Sequence, residues 1–208
     1  MKKLTPVLSI ALLTIIMAGC SATEAEPEPT APSVDPATAS SAGNSGNDDS
    51  VNKSARGNAI KRIGEPAGVS EATDSDNKLV NFAVQNIEVD PACTGPYPKP
   101  SENGHLVAVQ IAAETGSSEL FEKLYYGTDY SFGSHNWGFI TPKGTTANNI
   151  ATVATYSCFP ENEMLPDMIG PSEKVTGKVV LDVPSPTGTL IFNDVLSDAS
   201  WEWNMTSK

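Results

Sequence analysis

An all-β domain of the antiparallel β-sandwich class is predicted for residues 78–208, preceded by a signal peptide and a disordered linker. Three observations predict the domain. From Lys78 onward the chain breaks into short runs rich in β-branched and aromatic residues, many alternating apolar with polar positions as half-buried strands do. Gly, Pro and Asn punctuate those runs where turns belong. Neither an internal repeat nor an alternation of strand with helix competes with this pattern.

Taken in order, Val80, Phe82 and Val84 share one parity and Ile87 and Val89 the other, so a bulge is expected near residues 85–86. Residues 105–113 place Val107, Val109 and Ile111 on one face. The stretch 118–126 is the one with helical character, one or two turns carrying Leu120, Phe121 and Leu124 before Gly127 stops it. A strand in 132–140 supplies Trp137 and Phe139, and 152–156 reads as a short strand ending at Cys158. In 174–183, Val175, Gly177, Val179, Leu181 and Val183 alternate with Lys174, Thr176, Lys178 and Asp182, the pattern of a half-buried strand. A hairpin-like turn at 184–188 is expected to return the chain as a partner strand, 189–193. The last strand alternates Trp201, Trp203 and Met205 with Glu202 and Asn204, which places Glu202 in solvent.

The N-terminus reads as an address. Lys2 and Lys3 precede an uncharged apolar run from Leu4 to Ala18. Fifteen helical residues span about 22 Å, short of the ~30 Å hydrocarbon core, which fits a signal peptide rather than a membrane span. Met17-Ala18-Gly19-Cys20 resembles the bacterial lipobox, in which the cysteine receives a diacylglycerol and becomes the mature N-terminus. The resemblance implies a leader over 1–19, lipidation of Cys20, and a membrane partnership through the lipid anchor on the extracytoplasmic face.

Residues 20–77 are rich in Ala, Ser, Thr, Pro, Gly and acid, without an aromatic residue, and read as a flexible acidic linker. Such a linker has an r.m.s. reach of about 40 Å. Within it, 59–69 holds Ile60, Ile63 and Val69 and reads as linker or as an N-terminal edge strand. The net charge of −12, from 13 basic and 25 acidic residues, argues against nucleic-acid binding, which needs a basic patch.

Of three cysteines, lipidation of Cys20 leaves Cys93 and Cys158 as a pair on or beside different strands. A disulfide between them is expected in an exported chain, and no CxxC or flanking histidine supports a metal or redox site instead.

The order Met164-Leu165-Pro166-Asp167-Met168-Ile169-Gly170-Pro171, then Gly177 to Pro184, Gly188-Thr189-Leu190-Ile191 and Trp201-Glu202-Trp203 resembles a family of Ig-like lipoproteins of Gram-positive, especially actinobacterial, cell surfaces. That family is similar in fold to a mycobacterial immunogenic immunoglobulin-like secreted protein. Here Gly170-Pro171 stands where members often carry Pro-Gly. The resemblance implies a non-enzymatic surface role and brings no catalytic residue.

Candidate chemistry is thin. A copper site on Cys158 and Met164 lacks a histidine between them, and the chain holds only His105 and His135. Glu161, Glu163 and Asp167 form an acidic loop, and residues 74–77 mimic the start of an EF-hand loop that Lys78 and Leu79 do not continue. Neither a Gly-x-Ser-x-Gly elbow nor an HExxH helix is present. No cofactor or metal is expected. The expected function is binding of an extracellular protein or an envelope component. The alternative is a small-ligand or glycan receptor using an aromatic cleft around Trp137, Trp201 and Trp203.

Overall fold

The structure is a computed structural model that describes residues 52–71, 74–125, 127, 129–194 and 197–206. The leader, Cys20 and the linker up to residue 51 lie outside the described residues.

Among the described residues, eight strands form two four-stranded sheets. One sheet has the order β1-β8-β7-β5, from β1 (Ala59–Ile60), β5 (Trp137–Ile140), β7 (Gly188–Asn193) and β8 (Ser200–Met205). The other has the order β2-β3-β4-β6, from β2 (Ala67–Glu71), β3 (Asp74–Val89), β4 (His105–Thr115) and β6 (Lys174–Val183). All pairings are antiparallel except β1 with β8, where Ala59 lies opposite Trp201. A single core cluster draws on the inner faces of both sheets, including Val84, Val109 and Leu181 from one and Phe139, Phe192 and Trp203 from the other. The all-β sandwich expected from the alternating pattern is therefore present.

The bulge falls where the parity switch put it, between Val84 and Asn86 of β3. Helix α1 (Ser118–Leu120) continues as a π-helical turn, Phe121–Tyr125, matching the short helical stretch expected there. Cys93 and Cys158 are joined by a disulfide across a separation of 65 residues, with Cα atoms 4.5 Å apart.

Of the two readings of 59–69, the edge strand is the one found, because β1 adds to β8 and β2 adds to β3 ahead of Lys78. Four expectations are corrected. The 152–156 segment is not a strand but helix α2 (Val153–Ser157). Its β-branched residues predict extended backbone, yet Ala154 and Cys158, four apart, pack one helical face on Leu106, Ala108 and Val180. Tertiary burial overrides local propensity here.

The hairpin at 184–188 does not form, since β6 belongs to one sheet and β7 to the other. The outer edge of β6 is already occupied, by the Leu165 N–H on the Lys178 carbonyl and by the Ile150 carbonyl receiving the Asp182 N–H. Nor is β6 half-buried: from Val179 to Val183 it is buried on both faces, because α2 and Phe159 form an outer layer over the sheet. Finally, Glu202 is 3% exposed rather than in solvent. Arg56 pairs with its carboxylate at 3.2 Å and the Asn58 amide donates to it at 3.3 Å.

Candidate binding site

The outer layer over β4 and β6 leaves a cleft of about 370 Å³ between α2, the 132–134 segment, the 159–167 loop and β6. Its apolar lining includes Phe132, Phe159, Met164 and Leu165, and its polar lining Ser134, Tyr156, Glu161, Asp167 and Lys178. That volume lies in the range of small-ligand and side-chain pockets.

Each wall is held by a specific contact. Helix α2 has only five residues, so its own hydrogen bonds do little to hold it. The Thr155 hydroxyl donates to the Thr152 carbonyl at 2.8 Å and the Ser157 hydroxyl to the Ala154 carbonyl at 3.2 Å. The disulfide fixes its C-terminal end, and the 90–104 loop closes over it through Gly95 N–H to the Cys158 carbonyl and Lys99 N–H to the Ser157 hydroxyl.

Asp182 fixes its N-terminal end. This fully buried carboxylate accepts from the Ser101 hydroxyl at 2.5 Å, the Thr152 hydroxyl at 2.7 Å, and the N–H groups of Glu102 at 2.8 Å and Asn103 at 3.1 Å. Burial pushes its pKa up, but these donors outweigh burial and hold it below the ordinary carboxylate value.

The floor is set by β6. Lys178 reaches Glu163 at 2.6 Å while its ammonium sits 3.8 Å from the centre of the Phe159 ring, an ion pair combined with a cation–π contact. Backbone of Met164 and Leu165 crosses so close to Gly177 that a Cβ there would meet the Leu165 nitrogen at 2.6 Å. Above the floor, the Ser134 and Tyr156 hydroxyls lie 3.1 Å apart.

Four of the most exposed large apolar side chains described lie on α2, next to a lining residue in sequence, or on the loop tied to α2. Val153 and Tyr156, three apart on α2, are 65% and 66% exposed, and Met168 beside Asp167 is 71% exposed. Tyr97, on the loop tied to α2, is 81% exposed. Only Ile63 joins these four among large exposed apolar side chains of the described residues. Glu161 and Asp167 make no ion pair among the described residues, so the rim pairs apolar surface with uncompensated negative charge.

The residues singled out from sequence are mostly elsewhere. Trp137, Trp201 and Trp203 form no cleft: they are 5%, 5% and 1% exposed. Trp137 and Trp203 lie 5.9 Å apart between ring centroids, Trp201 stacks on Phe192, and Phe82 meets Trp201 edge-on at 5.2 Å. These rings are core, which is where two tryptophans on one strand parity belong.

His105 pairs with Asp90 at 2.8 Å, and His135 sits in an exposed position of a short 3-10 turn (Ser134–Asn136). No group of three His, Cys, Asp or Glu side chains among the described residues could hold a metal ion. The EF-hand-like residues 74–77 are part of β3. From the acidic loop, Glu161 and Asp167 line the cleft and Glu163 pairs with Lys178.

No site role was read from sequence for Tyr156, Phe159 or Asp182. The signal that marks Tyr156 is the i, i+4 pair Ala154/Cys158 with the i, i+3 pair Val153/Tyr156, a single helical turn with one apolar face in and one out.

No family model matches the chain, and no curated protein matches it. Among solved structures it is similar to the crystal structure of the yjhA protein from Bacillus subtilis, at 14% identity over 69% of this chain and 98% of that one, with a TM-score of 0.42.

Proposed function

We propose that this chain is a lipid-anchored extracytoplasmic lipoprotein whose Ig-like domain is a non-enzymatic binding module, and that the cleft beside α2 is where its partner docks. The observation that carries this reading is the cleft itself, lined by Phe132, Phe159, Met164 and the 66% exposed Tyr156, on a layer clamped by a disulfide and by Asp182. Exposed apolar clusters with polar rims mark interaction surfaces. A clamped layer presents them with little ordering cost on binding.

Charge narrows the partner. With Glu161 and Asp167 unpaired at the rim, the complementary ligand is a protein segment that presents an apolar side chain next to a basic one. A glycan, the second class considered from sequence, loses its tryptophan platform to the core and would have to stack on Tyr156 instead.

The lipid anchor rests on the Met17–Cys20 run, and a disulfide supports an oxidising compartment. Labelled palmitate should enter the wild-type chain and not Cys20→Ala; equal labelling contradicts the anchor. For the cleft, peptides combining Leu or Phe with Lys or Arg should bind the wild type and lose about tenfold in affinity to Tyr156→Ala/Met168→Ala. Equal binding by the double variant, or tighter binding of cell-wall sugars than of any peptide, contradicts the assignment.

A further inference from the structure

A second concavity lies where the N-terminal segment, β1 and β8 meet β2 and β3, with a volume of about 430 Å³. In a chain of net charge −12 its lining is inverted in sign: Lys53, Lys61 and Lys78 face it, and Asp198 is the one acid of the lining among the described residues. Lys61 is matched by Glu65 at 3.2 Å, whereas Lys53 and Lys78 make no ion pair among the described residues. Ala59, Ala67 and Gly68 are among the other lining residues.

We propose that this groove is a second binding site, independent of the α2 cleft, that takes a phosphate-bearing polyol chain, with Lys53, Lys61 and Lys78 meeting the phosphate oxygens. The lining contains lysines and no arginine, and the nearby Arg56 is engaged with Glu202 instead. Ammonium groups act as point charges approaching from several directions, which suits tetrahedral phosphate. A planar carboxylate is better matched by the guanidinium fork. Ser70, Asn81 and Ser200 supply neutral hydrogen-bonding groups suited to polyol hydroxyls. Trp201, the single aromatic residue of the lining, is 5% exposed and offers no ring face for base stacking, which disfavours a nucleic acid. The chain's net charge of −12 disfavours non-specific attachment of a polyanion.

Binding of the full chain to soluble poly(glycerol phosphate), and to phosphatidylglycerol against phosphatidylcholine vesicles, tests the proposal and separates a polymer from a lipid headgroup as the phosphate source. At least one phosphate probe should bind, should weaken as salt rises, and should lose about tenfold in Lys53→Glu/Lys78→Glu. The neutral pair Lys53→Gln/Lys78→Gln should lose affinity in the same direction while unfolding at the wild-type temperature. The proposal is overturned if neither phosphate probe binds, or if the variants bind as the wild type does. Polyglutamate or oligothymidylate binding as tightly as the phosphate probes also overturns it.

Discussion

The Thr152 hydroxyl donates to the Asp182 carboxylate at 2.7 Å, and this buried bond ties the entry of α2 to the C-terminal end of β6. Through it, a helix too short to persist by itself becomes a fixed wall of the cleft. The other three donors to Asp182 come from residues 101–103, so one carboxylate pins both segments that cross the outer face of the sheet.

Acid should therefore loosen the cleft before it unfolds the core. Asp182 has a folded pKa below its unfolded one, so its contribution is present above the unfolded value of about 3.9 and is lost as pH falls through the folded value. Chemical-denaturation midpoints between pH 7 and pH 2 should show this loss in the wild type. Asp182→Asn should be less stable at pH 7 and should have a shallower acid slope. An unchanged slope in the variant contradicts the role given to Asp182.

Gly177→Ala should be strongly destabilising for a β-strand glycine. Its Cβ would meet the Leu165 nitrogen at 2.6 Å and the Leu165 Cα at 2.7 Å, backbone that cannot swing aside. A loss of about 2 kcal/mol or more in urea unfolding is expected, the usual scale of overpacking. Replacing the exposed Gly144, which has open space around it but a φ of +79°, should cost about 1 kcal/mol from backbone strain alone. Equal effects at the two positions would remove the steric account.

Breaking the disulfide with Cys93→Ser/Cys158→Ser should lower stability by about 4 kcal/mol, the loop-entropy figure for a closed loop of that length. The effect should be local as well as global. Amide exchange in 153–158 and in the 93–99 loop should rise more than in β7 and β8, because the bridge joins the outer layer and leaves the inter-sheet core untouched.

Arg56→Ala should cost about 2 kcal/mol, since it leaves the Glu202 carboxylate buried with Asn58 as its remaining side-chain donor. Glu202→Gln in the same background should recover part of that loss by removing the stranded charge. A neutral Arg56→Ala would show that the pair is solvated.

Much of the inner sandwich was legible because alternation reports directly on a sheet with one wet face. Val80, Phe82 and Val84, the parity switch at residues 85–86 and the Trp201/Trp203 face all follow from a period of two. The outer layer was not legible, for a physical reason. Once α2 and the 90–104 loop cover β4 and β6, burial on both faces erases the alternation that Asp182 and Lys178 seemed to continue.

The short helix was hidden because Val153, Thr155 and Tyr156 favour strand locally, and only packing against Leu106 and Val180 decides otherwise. The N-terminal strands β1 and β2 were half legible: Ile60 and Val69 allowed an edge strand, but Ala59, Ala67 and Gly68 read equally as linker until edges of both sheets are available to receive them. Cysteine arithmetic, by contrast, found Cys93–Cys158 with no geometry at all.

Site-specific photo-crosslinking in intact cells tests the central claim most directly. A photoreactive side chain at position 156, beside the cleft, is compared with one at Lys143, exposed on the β5 turn. The account predicts a discrete protein adduct from position 156 that is lost when Asp167→Lys reverses the rim charge, and none from position 143. No adduct at 156, or the same adduct from both positions, would contradict it.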